Sequence, residues 1–123
     1  MTIIITGKVT QGEKYGRILG FPTANLDRRE YVRKKMKIRL GVWAGKVKVG
    51  SRIYKGGIVI GPLDKYHLPK IEAHLINFNG NLYGEKITIN LQKYLRPFKK
   101  YKNINQLKKQ IAGDVQKIKK LNL

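Results

Sequence analysis

The sequence predicts a small, mainly β domain, a sandwich or a barrel, with one helix at its C-terminal end. Three observations carry that expectation. Between Thr2 and Leu91, short apolar segments rich in β-branched residues alternate with glycine-bearing turns, the punctuation of an all-β chain. After Asn103 the apolar spacing changes to three and four residues, the period of a helix. The length of 123 residues, 41% of them hydrophobic, suits one domain over 1–123 with one core.

Thr2 to Thr10 reads as a first strand, interrupted at Gly7, and residues 11 to 26 as a glycine-punctuated loop. Arg28 to Arg39 holds seven basic residues and one acid, Glu30, which predicts an exposed loop with a short helical turn. Val42 to Val49 alternates, with Trp43, Gly45, Val47 and Val49 on one face and Ala44, Lys46 and Lys48 on the other. Gly50-Ser51 suits a tight hairpin, because glycine accepts the positive φ that a II′ turn requires. Ile53 to Ile60 returns, with a bulge or sharp bend expected at Gly56-Gly57. Gly61 to Lys70, with its two prolines, reads as a loop. Ile71 to Phe78 is the next strand, Asn79-Gly80-Asn81 a turn, and Leu82 to Leu91 a further strand.

The helix is the best marked element. Ile104, Leu107, Ile111, Val115, Ile118 and Leu121 line one face, and lysines crowd the other. Asn103 can cap its start, with Gln106 three residues on in capping-box position.

Composition removes several function classes. No apolar run approaches the roughly 20 residues that cross a bilayer, and Ile3-Ile4-Ile5 is too short for a signal peptide. There are no cysteines, which excludes disulfides, thiolate metal sites and cysteine nucleophiles. A cytoplasmic protein without membrane contact is expected. Twenty-seven Lys and Arg against seven Asp and Glu give a formal charge of +20, which suggests an anionic partner, nucleic acid first. A chain simply rich in lysine is the plainer account, so charge alone does not decide.

No Walker-type phosphate loop is present. The seven acids are too scattered for a glycosidase pair or a two-metal nuclease, and His67 and His74 are too isolated for a zinc site. Two features remain. In "GEKYGRILGFPTANL", Gly12, Gly16 and Gly20 let successive N–H groups converge on an anion, and Lys14 and Arg17 add positive charge. Pro22 stiffens the exit and directs the Thr23 hydroxyl and the Asn25 side chain, neutral oxygen donors of the kind Mg²⁺ accepts beside phosphates and water. Read by itself, such a loop could equally be a glycine-rich hairpin with a turn asparagine. Glu72, in "KIEAHLINF", shares a face with His74, Ile76 and Phe78, opposite Ile71, Ala73, Leu75 and Asn77. It is either a solvated edge residue or a functional carboxylate at a barrel mouth.

Taken together, "GKVTQGEKYGRILGFPTANL", "GVWAG", "EAHLINFNGNLYGEKI", "LRPF" and "LKKQIAGD" resemble the riboflavin kinase family, in order and nearly in spacing across the whole chain. The resemblance implies a Greek-key closed β-barrel with a C-terminal helix, and transfer of the ATP γ-phosphoryl to the 5′-hydroxyl of riboflavin, giving FMN. It implies that Thr23 and Asn25 bind Mg²⁺ (Mn²⁺ or Zn²⁺ as alternatives) and, with the Gly12, Lys14, Gly16, Arg17 and Gly20 loop, the nucleotide phosphates. Glu72 falls on the catalytic base, and Leu95, Arg96 and Phe98 are assigned to the flavin.

Departures from the family pattern cluster on the flavin side. Asn77 replaces a common aspartate, Trp43 a common tyrosine, and Gly61-Pro62-Leu63 the usual Gly-x-x-Pro-Thr. No adenylyltransferase segment precedes the glycine loop, so FMN is the expected product unless the chain belongs to a longer FAD synthetase. A monomer acting on riboflavin and ATP, without specific nucleic-acid binding, is expected. The competing reading is a basic β-barrel that binds RNA without catalysis. It expects aromatic residues spaced along strands for base stacking, whereas Tyr54, Tyr66, Tyr83, Tyr94 and Tyr101 are scattered.

Overall fold

Alternate residues of every long strand turn inward, and their meeting builds the core. The computed structural model describes residues 3–11 and 23–123. Its strands are β1 (Ile3–Thr10), β2 (Ala24–Leu26), β3 (Gly41–Val49), β4 (Arg52–Leu63), β5 (Pro69–Leu75) and β6 (Lys86–Arg96), with helices α1 (Arg29–Arg33) and α2 (Ile104–Lys120). The strands close into a barrel in the order β1-β2-β5-β4-β3-β6, and every pairing is antiparallel. β6 returns beside β3, the first strand of the β3-β4-β5 meander, which is the Greek-key arrangement. Ile5, Val47, Ile58, Ile60, Ile89 and Leu91 fill the interior, each at most 1% exposed.

Several expectations need correction. β2 lies inside the stretch read as loop; three residues are too few for alternation to reveal. β4 runs unbroken through Gly56-Gly57, in register with β3 from Gly41↔Ile60 to Val49↔Arg52. These glycines permit close approach, not a bulge. A Cβ on Gly57 would stand 3.2 Å from Ile118 Cδ1 of α2, and one on Gly45, which pairs with Gly56, would stand 2.1 Å from the Asn90 carbonyl oxygen. The irregular pairings lie elsewhere, between β3 and β6 near Val42 to Gly45 and between β4 and β5 from Ile60 to Leu63. Much of the expected loop from Gly61 to Lys70 is strand, because β4 extends to Leu63 and β5 begins at Pro69. β5 stops at Leu75 rather than Phe78. β6 starts at Lys86; Leu82 fills the core from a turn, which gives that segment its strand-like look.

In α2, Asn103 Oδ1 accepts from the Gln106 N–H at 3.0 Å, and Gln106 Oε1 accepts from the Lys102 N–H at 3.1 Å. The far end is held by Lys55 Nζ, which donates to the carbonyls of Lys119 (3.0 Å) and Leu121 (2.6 Å). Ile118 closes a second small core with Ala44 and Ile76. The apolar stripe is shallow: Ile118 is the buried residue of α2, while Ile104 is 54% exposed. Asp114 anchors the middle of the helix to Arg96 of β6, with Nη2–Oδ2 at 2.7 Å and Nε–Oδ1 at 3.1 Å. Burial works against the charge of Arg96, but Asp114 outweighs it and raises the pKa of the guanidinium.

The basic segment after β2 does contain the expected helical turn, α1. It is not wholly exposed, since Tyr31 and Ile38 enter the core. Glu30 Oε1 accepts from the Thr6 N–H at 3.3 Å and pairs with Lys34 at 3.0 Å. The chain between α1 and β3 is held by Trp43, whose Nε1 donates to the Arg39 carbonyl, and by the Tyr94 hydroxyl, which donates to the Leu40 carbonyl.

Candidate active site

The alternation of β5 decides where Glu72 points. Pro69, Ile71, Ala73 and Leu75 are buried, so Lys70, Glu72 and His74 stand on the outer face. In β2, Ala24 and Leu26 are buried and Asn25 faces out. Asn25 and Glu72 are direct cross-strand partners. In antiparallel pairs such residues sit about 4.5–5.5 Å apart at Cα, so residues 47 positions apart in sequence are neighbours on one surface.

This pair belongs to a longer row. Thr10 pairs with Asn25, Glu72 with Val59, Val59 with Val42, and Val42 with Arg96. One residue from each of the six strands thus follows the circuit of the barrel. Thr10 Oγ1 donates to the Asn25 carbonyl at 3.4 Å, fixing the β1 end. Around the polar end lies a cavity of about 210 Å³ lined by Thr10, Gln11, Asn25, Arg28, Lys70 and Glu72, with Leu26 and Ile71 beneath. A wider hollow of about 570 Å³ adjoins it, sharing Thr10, Leu26 and Arg28 and adding Asp27, Arg29, Val32, Arg33 and Leu68. The mouth therefore sets Arg28, Arg29, Arg33 and Lys70 beside the amides of Gln11 and Asn25, the Thr10 hydroxyl and two carboxylates, Glu72 and Asp27, a net positive lining suited to an anionic ligand.

The other predicted residues are placed as follows. Thr23 leads into β2, two residues before Asn25, and is partly exposed. Gly12, Lys14, Gly16, Arg17 and Gly20 lie outside the described residues. Arg96 stands on the same row as Glu72, three strand spacings away, roughly 14 Å along the sheet. Its guanidinium is engaged by Asp114. Leu95 packs beside the small core under α2. Phe98, 42% exposed, lies against Gly61, two residues along β4 from the Val59 partner of Glu72. Asn25 and Glu72 are thus brought together, while Leu95 and Arg96 lie on the far side of two valines.

Sequence reasoning missed Thr10, Gln11, Arg28 and Lys70 as site residues. Lys70 was legible in principle, because it precedes Glu72 by two in the period of β5. Arg28 carried no such signal; only the tertiary fold brings it to the cavity.

Among the described residues no three His, Cys, Asp or Glu side chains gather to hold a metal ion. A metal at this mouth would take neutral oxygens from Asn25 and Thr23 and the rest of its shell from phosphate and water, which suits Mg²⁺. No helix among the described residues is long and apolar enough to cross a membrane.

Known proteins place the chain in a family. The family model described as Flavokinase, riboflavin kinase, matches residues 1–122. The chain is 39% identical over 121 residues to the bifunctional riboflavin kinase/FMN adenylyltransferase of Buchnera aphidicola subsp. Schizaphis graminum, covering 94% of this chain and 38% of that protein. It is 34% identical over 115 residues to the RNA-binding riboflavin kinase RibR of Bacillus subtilis, covering 91% of this chain and 48% of that protein. The chain thus spans less than half the length of either relative. In fold it is similar to riboflavin kinase from Trypanosoma brucei, with a TM-score of 0.73 at 22% identity over 96% of this chain and 75% of that one. The family model spans nearly every residue, and the barrel it implies is the barrel found: the chain belongs to the riboflavin kinase family.

Proposed function

We propose that this chain, acting as a single domain over 1–123, transfers the γ-phosphoryl group of ATP to the 5′-hydroxyl of riboflavin, yielding FMN and ADP. The observation that carries the reading is the direct pairing of Asn25 with Glu72 at one cavity. Glu72 accepts the proton of the attacking ribityl hydroxyl, and Asn25 and Thr23 hold the metal-bound phosphates beside it. Mg²⁺ would neutralise charge on the transferring phosphoryl, as phosphoryl transfer requires more positioning and charge cancellation than covalent help. One carboxylate within hydrogen-bond reach suffices for the proton. Arg28, Arg29, Arg33 and Lys70 outnumber the acids Asp27 and Glu72 along the two hollows, so attraction of the triphosphate outweighs its repulsion. On the flavin side, Val59 lies next to Glu72 on the row, and Phe98 stands exposed beside Gly61, two residues along β4.

The test is incubation of the purified chain with riboflavin, Mg²⁺ and either ATP or CTP, with FMN resolved by chromatography. FMN formation with one nucleotide supports the assignment and names the donor. Absence of FMN with both overturns it.

A second reading, RNA binding, has one observation in its favour. The +20 charge exceeds what a single nucleotide needs, and one relative carries RNA binding in its name. Electrophoretic mobility shifts across a salt series separate the two readings. Weak attraction to any polyanion, lost steeply with salt, is what non-specific charge produces. Selective binding that survives physiological salt would indicate a second activity.

A further inference from the structure

We propose that Arg28 is a positioning residue that clamps the β4–β5 hairpin to the end of β2, and so keeps Glu72 in register with Asn25. The inference rests on the reading of Glu72 as the base.

The need for such a clamp is visible in the ladders. β2 has three residues, and two registered pairs join it to β5, Ala24↔Ala73 and Asn25↔Glu72. On the other side of β5 the pairing with β4 is irregular between Ile60 and Leu63. Pro62, lacking an N–H, stands within that gap. The strand bearing Glu72 therefore begins at an irregular pairing, which becomes regular from Ile71 onward.

Arg28 lies two residues beyond β2. Its Nη1 donates to Asp64 Oδ2 and lies 3.4 Å from both the Leu68 and Pro69 carbonyl oxygens. Asp64 in turn shapes the hairpin tip, its Oδ1 accepting from the N–H groups of Tyr66 (2.8 Å) and Leu68 (3.2 Å). The connection thus runs from β2 through one guanidinium to Asp64, the tip and Pro69, three residues before Glu72. Both partners are partly shielded, with side chains 28% and 19% exposed. All three contacts are made by one nitrogen, Nη1, of a group that stays charged at any working pH. Among the described residues, the neighbouring Arg29, 94% exposed, reaches Asp27 at 3.4 Å. Arg28 lines both hollows as well, so direct contact with a substrate phosphate is the rival role to be separated.

The experiment uses the full chain with Arg28→Gln, Arg28→Lys, Asp64→Asn and the double variant Arg28→Gln/Asp64→Asn, beside Glu72→Gln. A displacement of about an ångström at a reacting group costs up to about 100-fold. Arg28→Gln and Asp64→Asn are therefore each expected to lower kcat by about tenfold, with both KM values within about threefold. The double variant should be no worse than either single one, because both break the same tie. Arg28→Lys, which can still reach Asp64, should recover part of the loss. In ¹H–¹⁵N spectra the Asn25 and Glu72 amide signals should move in Arg28→Gln, a readout independent of turnover. Unmoved amides, additive kcat losses, or a lowered melting temperature with wild-type kcat would each overturn the clamp. So would an effect confined to the KM for ATP, which assigns Arg28 to the nucleotide. If Glu72→Gln stays active while the amides move, the clamp stands and the base assignment falls.

Discussion

The base and the metal-side ligands make separable predictions at the level of single residues. Glu72→Gln keeps the side-chain shape but cannot accept a proton, so kcat should fall by roughly 10² or more with little change in ligand affinity. Steady-state kinetics with binding titrations check this, and wild-type turnover would remove Glu72 from the role. Thr23→Ala and Asn25→Ala delete oxygens assigned to metal and phosphate. Calorimetry should find Mg-ADP affinity weakened in both, and more than riboflavin affinity. That Glu72 faces outward was legible from the alternation of its strand, whereas the base role of Glu72 and the metal role of Asn25 were implied by the family resemblance and not by the residues alone. That the two meet was not legible: register between β2 and β5 depends on a three-residue strand, which leaves no periodic trace.

At the level of elements, the helix and the β3–β4 hairpin were readable because their signals are local. Asn103 does cap α2, through its bond from the Gln106 N–H. Asn103→Ala should therefore cost about 1 kcal/mol of stability, measured by urea unfolding. Gly50, expected to turn the hairpin, does so at φ +60°. Gly56-Gly57 misled because glycine has two unrelated uses, bending a strand or admitting a close neighbour. The neighbour here, Ile118, is some sixty residues away. Leu82 misled for a similar reason, as an apolar residue buried from a turn resembles one buried from a strand.

For the whole molecule, the charge and its pH response are the properties to test. Lys108, Lys109, Lys117, Lys119 and Lys120 lie on the exposed face of α2. Exposed charges are screened over about 8 Å at physiological ionic strength, so changing all five to glutamine should leave kcat nearly unaltered. Any loss should appear in the nucleotide on-rate at low salt and fade as salt rises, which stopped-flow mixing would detect. Acid stability follows from Asp64, whose carboxyl the Arg28 hydrogen bond holds below its ordinary value of 3.8. A depressed folded-state value stabilises the protein above the unfolded pKa, and that contribution is lost as pH falls through the folded value. Thermal unfolding at pH 6 should thus rank Asp64→Asn below the parent, and the gap should close as the pH falls through the lowered folded-state value.

The row that circles the barrel has a consequence for how activity arises in time. Its members come from six strands, and Asn25 and Glu72, neighbours across β2 and β5, are separated in sequence by the whole of β3 and β4. No contiguous fragment short of that span contains the pair, and contacts of such sequence separation form late and slowly. Catalytic competence is therefore an all-or-none reporter of ring closure. During refolding, the recovery of turnover should follow the slowest structural phase, and a collapsed chain with its hairpins already formed should still be inert.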